Sequence, residues 1–289
     1  MREDTYALED KVAAIASELT GERAPEPESL LPLDSLGRVE LALALEEAFG
    51  VQLDEGEALL TIRHATSQVV EKLGEPIQDD EDLLAGVGAL QPLAVRLAGR
   101  LCRRYYRMEV EGTEHIPTSG PAVLAANHES FWDIPLLVFA SPRPIVFMAK
   151  EELYGSFLGA WFFTKLGGFQ VRRGTSDVLA VRTGLAVVRG GQVLGMYPES
   201  TRRVGELLPF YPGAAWVALA EGVRLIPVGI TGTGASMPKG SKAPRRVRVR
   251  IAFGPSLEVQ RQEEPRKRLA VARDLTMRLR EAVQELISN

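Results

Sequence analysis

Asn127-His128-Glu129-Ser130-Phe131-Trp132-Asp133 is the stretch on which the fold turns. Ala122-Val123-Leu124-Ala125-Ala126 precedes it and is apolar throughout, the pattern of a buried strand. Ile134-Pro135-Leu136-Leu137 follows and opens a helix, because proline is tolerated in a helix's first turn and not deeper. A histidine therefore stands at a strand's end and a carboxylate at the mouth of the next helix. On one continuous helix, residues five apart are rotated by roughly 140° and do not face each other, so the two meet only across a turn. Two uses are open to Asp133: capping the helix, or orienting His128 through one ring nitrogen. An oriented imidazole can take a proton from an incoming hydroxyl. That hydroxyl can itself attack an activated acyl group, with no serine or cysteine nucleophile. The plainer alternative is a capping aspartate beside a structural histidine.

Working outward, apolar runs predict strands at 108–112, 145–149, 193–197, 225–230 and 247–251, separated by helical patterns that include 176–189 and 264–287. Strands alternating with helices argue an α/β fold, a mixed sheet flanked by helices over residues 108–289. Leu153 to Phe163 is rich in aromatics and suits either an acyl channel or plain core. Gly167-Gly168-Phe169-Gln170-Val171-Arg172-Arg173-Gly174 sets glycines, which let the backbone turn near a ligand, beside arginines, which bind phosphate bidentately. Two arginines at a strand end can equally be solvated. Pro198-Glu199-Ser200-Thr201-Arg202-Arg203 follows the 193–197 strand, and its carboxylate and arginine can hold a ligand or pair with each other.

The net charge of −4 hides a split. Residues 1–82 carry 21 acidic against 6 basic side chains, a net of −15, and the remainder carries 17 against 28, a net of +11. An acidic front joined to a basic body suggests two domains with different partners; a basic surface serves nucleic acid, anionic lipid or phosphorylated substrates. The single Cys102 excludes an intrachain disulfide, and three histidines in all make metal catalysis an unfavoured reading. No apolar run reaches the ~20 residues that span a bilayer, and Gln91 and Pro92 interrupt the nearest candidate, 83–95. No secretory signal opens the chain.

The front reads as a small all-α helical bundle. Leu8, Val12, Ile15 and Leu19 set a helix over 5–20, Asp34-Ser35-Leu36 opens a second that Gly50 stops after Phe49, and a third covers about 65–73. Residues 79–107 read as linker and a basic amphipathic helix, with Arg96, Arg100, Arg103 and Arg107 on one face and Leu93, Leu97 and Leu101 on another. Such a helix either lies on an anionic membrane surface or packs its leucines on the core and solvates its arginines.

Two resemblances give these patterns a function. Asn127-His128 with Asp133 resembles the first signature of the glycerolipid acyltransferases of the PlsC, 1-acyl-glycerol-3-phosphate acyltransferase type, and the blocks at 167–174, 198–203 and 225–230 resemble the other three, in order. That family implies His128 as base and Asp133 as its partner. It implies Arg173, Glu199, Ser200, Thr201 and Arg202 around the acceptor, and backbone amides near the motif around the oxyanion. Its third block is usually Pro-Glu-Gly-Thr-Arg; Ser200 stands here in place of the glycine and is strained if that position needs φ > 0. Residues 1–78, through Asp34-Ser35-Leu36, resemble an acyl carrier protein. That likeness implies 4′-phosphopantetheine on Ser35, added by a phosphopantetheinyl transferase and loaded by a ligase or synthase, with the acidic second helix read by basic patches on enzymes. Together they imply an acyl thioester donor, a lysophospholipid acceptor, no metal, no nucleic acid, and a cytoplasmic location, peripheral on the inner face of the membrane. The acceptor stays open to glycerol-3-phosphate, another lysolipid or an amino-lipid, and an inactive carrier or lipid-binding module is the rival class.

Overall fold

A computed structural model describes the chain apart from residues 1, 23–25, 54–58, 151–159, 162–163, 172–176, 203–204, 237–243 and 289. Among the described residues the front has three helices: α1 (Arg2–Thr20), α2 (Ser35–Phe49) and α3 (Ile62–Lys72). Asp34 caps α2, accepting from the Gly37 N–H at 2.8 Å, and Gly50 ends it in the left-handed region at φ 63°, as the sequence predicts. A short α4 (Asp80–Leu83) interrupts the expected linker, and α5 (Gln91–Tyr105) leads to the sheet.

The sheet contains β1 (Glu109–Glu111), β2 (Ala122–Ala126), β3 (Ile145–Lys150), β4 (Gly168–Val171), β5 (Val193–Met196), β6 (Arg224–Thr231) and β7 (Arg250–Phe253) in the order β1-β7-β6-β2-β5-β3-β4. Every neighbouring pair is parallel except β6 with β7. The expected mixed sheet is thus present, its last strand three residues later than the 247–251 pattern placed it. β2 lies between β5 and β6, with Leu124 level with both Gly195 and Ile226, and all five of its residues are buried, which explains its unbroken apolar sequence. The helices α6 (Asp133–Ala140), α7 (Val178–Arg189), α8 (Gly213–Glu221), α9 (Thr233–Ser236) and α10 (Pro265–Ser288) complete the body. Asp177 caps α7, accepting from the Ala180 N–H at 2.9 Å.

One side chain acts as surrogate backbone. Gln91, which breaks the apolar run in sequence, accepts from Ile145 N–H at 2.7 Å and donates to Ile145 O at 2.8 Å and Leu166 O at 2.6 Å, fixing α5 to the start of β3. Gly167, at φ +99°, leaves room for that amide; a Cβ there would lie 2.6 Å from Gln91 Nε2. The leucines of α5 do not pack on the core. Val95, Ala98 and Cys102 face the body, whereas Leu93, Leu97 and Leu101 are 49%, 63% and 70% exposed, so the leucine row is not the core-facing side. Arg103 is not a free cation of the outer face, because its Nε donates to Phe139 O at 2.9 Å and holds the end of α6.

The front does not stand apart. Val12, Leu41 and Leu45 belong to the same buried cluster as Trp216, Leu219 and Leu275 of the body. Glu40 of α2, 2% exposed, is clasped by Arg268 of α10 and accepts from the Trp216 indole N–H, while the Arg268 guanidinium lies 5.4 Å from the centre of that ring. Glu46 pairs with Arg182 of α7, which also donates to Leu53 O at 3.2 Å. Asp34 pairs with Arg273 at 2.7 Å. The −15 and +11 of the sequence therefore meet within the chain: three arginines of the body occupy the acidic helix that was expected to face other enzymes.

Candidate active site

β2 and β5 are parallel neighbours, so His128 just beyond β2 and Glu199 just beyond β5 emerge on the same edge of the sheet. Ligands of open α/β sheets collect at this carboxyl edge. Asn127 fixes the height of the turn. Its side-chain amide donates to Ile230 O at 2.8 Å and accepts from Ile230 N–H at 2.7 Å, tying the end of β2 to β6.

The turn between strand and helix brings the pair together. His128 Nδ1 lies 2.7 Å from Asp133 Oδ2, with the side chains 6% and 0% exposed. Asp133 sits in the first turn of α6 instead of capping it. The same Oδ2 accepts from the Glu129 N–H at 2.7 Å and the Ser130 N–H at 2.8 Å. The imidazole and two backbone amides thus meet at one buried oxygen and fix its position. With Nδ1–H given to the carboxylate, Nε2 keeps the lone pair, the tautomer a general base needs. Tyr197 stacks against the imidazole, ring centres 4.5 Å apart. Burial pushes its phenol well above the usual range and the Asp133 charge adds to the effect, so it stays neutral.

The resemblance-based assignments fare unequally. Glu199, expected to order the acceptor, is 2% exposed; its Oε1 accepts from the His128 N–H at 2.7 Å and its Oε2 from the Leu208 N–H at 2.9 Å. It braces the turn that carries His128. Five of the motif amides are committed within the protein: His128 N–H to Glu199, Glu129 and Ser130 N–H to Asp133, Trp132 N–H to Ser130 Oγ and Asp133 N–H to Ser130 O. Local chain geometry that builds the dyad uses up these donors. Ser200 has φ 57°, so the position does require the left-handed region that favours glycine. Thr201 and Arg202 are exposed on the loop after β5, and Arg173 lies outside the described residues, as does most of the aromatic stretch 153–163. Ser35 is exposed at the start of α2.

Sequence reasoning missed Tyr197, the Asn127 clamp and Arg280. Arg280 of α10 donates to Leu207 O at 2.8 Å and to Leu208 O at 3.1 Å, holding the loop that Glu199 anchors. Trp132 Nε1, Asp133 Oδ1 and Tyr197 Oη are buried without a protein hydrogen-bond partner. A small cavity of about 140 Å³ beside the stack is lined by Met148, Tyr197, Pro198, Ser200, Tyr211 and others.

Residues 107–231 match the family model described as Acyltransferase. The chain is 32% identical over 142 residues to the chloroplastic 1-acyl-sn-glycerol-3-phosphate acyltransferase of Arabidopsis thaliana, covering 48% of this chain and 40% of that enzyme. It is 32% identical over 150 residues to the lyso-ornithine lipid O-acyltransferase of Pseudomonas aeruginosa, covering 51% of each. These matches thus span about half the length of the curated relatives or less. The crystal structure of the 1-acyl-sn-glycerophosphate acyltransferase PlsC of Thermotoga maritima superimposes with a TM-score of 0.52 at 26% identity, covering 72% of this chain and 84% of that one. By matched sequence and by fold, the segment around His128 and Asp133 is similar to acyltransferases of the PlsC type.

Proposed function

We propose that this chain is an O-acyltransferase that moves a fatty acyl group from a thioester donor to 1-acyl-glycerol-3-phosphate, giving phosphatidic acid. The observation that carries the reading is the buried His128 held at 2.7 Å by a carboxylate that three N–H groups fix in place. His128 Nε2 takes the proton of the acceptor hydroxyl. The oxygen attacks the thioester carbonyl, the carbon–sulfur bond breaks, and the proton on His128 passes to the departing sulfur. Asp133 holds the ring and stabilises its charged form in between. Arg202, with Arg173, is the reading's choice for the acceptor phosphate. Replacing His128 by Ala abolishes acyl transfer with folding intact; turnover within tenfold of the parent protein would end the mechanism.

Residues 1–78 are read as a carrier module whose Ser35 takes 4′-phosphopantetheine. An exposed hydroxyl at a helix N-terminus fits the group, since the helix dipole favours the phosphate. When bound, it supplies a thiol that holds the acyl group as a thioester. Ser35→Ala then removes use of the tethered donor and spares acyl-CoA; equal loss of both counts against a donor role. No described helix is long and apolar enough to cross a membrane. The exposed leucine row of α5, interleaved with Arg96 and Arg100, supports a peripheral stance on the anionic inner face. Replacing Leu97 and Leu101 by Ser should release the protein from anionic vesicles, and unchanged sedimentation would refute this. An amino-lipid acceptor is the second reading, favoured by the similarity to the lyso-ornithine lipid enzyme, and an acceptor panel separates the two.

A further inference from the structure

The body's three ion pairs to the front leave the start of α2 at the edge of a groove. Asp34 Oδ2 is bound by Arg273 at 2.7 Å, so the residue before Ser35 is pinned to α10. Arg273 is also a wall of a mostly apolar cavity of about 340 Å³, lined further by Pro209, Phe210, Pro212, Met277 and Arg280. That volume lies in the range of small-ligand sites. Arg280 in turn borders a second cavity of about 590 Å³, which reaches Leu207, Thr231 and Glu129, the neighbour of His128. The α10 residues along this course, Arg273, Met277, Arg280, Gln284 and Ile287, recur at four- and three-residue spacing, one face of the helix. Fourteen residues of α-helix cover about 20 Å, comparable with an extended phosphopantetheine arm.

We infer that this face of α10 is the track along which the arm on Ser35 runs toward His128 within its own chain. The inference rests on the carrier reading of Ser35. One occupant suits both ends of the groove. A phosphodiester beside Ser35 finds the Arg273 guanidinium next to it, and the largely apolar pantetheine chain finds Pro209, Phe210 and Met277. The docking of α2 explains why the arm needs a groove. A carrier held through Glu40 and Glu46 does not swing, so the arm alone covers the remaining distance. A tether raises the effective donor concentration at a site when its origin is fixed within reach.

The test is a disulfide trap. The full chain, in a Cys102→Ser background, is made with a phosphopantetheinyl transferase, and intact mass establishes the arm. Met277→Cys is then compared with Tyr6→Cys, a position 68% exposed on α1, in a dilute glutathione redox buffer. The expected result is an intramolecular link from arm thiol to position 277, in at least tenfold excess over position 6, read by peptide mass. Adding Arg273→Glu lowers that yield several-fold. An arm that is present but links no better at 277 than at 6 overturns the track and leaves the attachment standing. A Ser35 that stays unmodified overturns the carrier reading, and the track with it.

Discussion

Asp34 and Asp133 both stand where a helix begins, and both accept from backbone N–H groups three or four residues away. Their surroundings make them different instruments. Asp34 is half exposed, spending one oxygen on the α2 cap and the other on Arg273. Asp133 is fully buried, and a single oxygen gathers His128 and two amides. Water can replace a lost partner at the first site and cannot at the second. Short-range chemistry makes a helix start in both places; burial turns one of them into a fixed anchor beside an imidazole.

The sharpest way to break that contrast is Asp133→Asn. The amide presents an N–H to a site built from donors, so the histidine tautomer and the turn both suffer. Turnover should fall about 10³–10⁴-fold, measured by steady-state acyl transfer on protein with unchanged circular dichroism; a loss under tenfold would mean the carboxylate is only a brace. Arg268→Ala carries the contrast into the docked front, where Glu40 is buried as deeply as Asp133. Leaving its charge unpaired should cost about 3–5 kcal/mol by urea unfolding, and a cost below 1 kcal/mol would show that water reaches the interface. Asp34→Ala should cost only about 1 kcal/mol, the typical worth of a cap.

Partial burial raises the Asp34 pKa, but the Gly37 N–H, the Arg273 bond and the charges of Arg273 and Arg38 outweigh it, leaving the carboxyl below the usual range. A depressed folded pKa means stability that is present above the unfolded pKa and lost as pH falls through the folded one. The difference between Asp34→Ala and the parent chain should therefore be full at neutral pH and shrink at the acid end; a gap that widens on acidification would contradict the pairing. Ser200→Gly is the smallest effect. Relieving φ 57° on a non-glycine residue should raise stability by a few tenths to about 1 kcal/mol, read as a small rise in Tm.

Much of this was legible in the residues. Pairing His128 with Asp133 was one of two readings open on paper, because a proline tolerated only in a helix's first turn sets the helix start between them. The positive φ at Ser200 followed from a motif in which glycine is usual, and the acidic and basic halves were plain in the charge count. What the halves bind was not legible. Glu40 and Arg268 are 228 residues apart, and no periodicity links them. Glu199 looked like a ligand residue because a carboxylate near an arginine has two readings, and only the position of the Leu208 and His128 amides separates them. The leucines of α5 have correct helical spacing on either side of the helix, so their exposure depends on what lies against it.

Local order belonged to the sequence: where strands end, which residues cap, which turn needs a left-handed backbone, which carboxylate lies within reach of which imidazole. These depend on dihedral preferences and spacings of a few residues. The docking of the front, the conversion of Glu199 into a brace and the commitment of the motif amides belonged to the tertiary structure. Each depends on distant segments sharing one dry volume, where a polar group must be paired, and its partner is set by the packing of the whole chain.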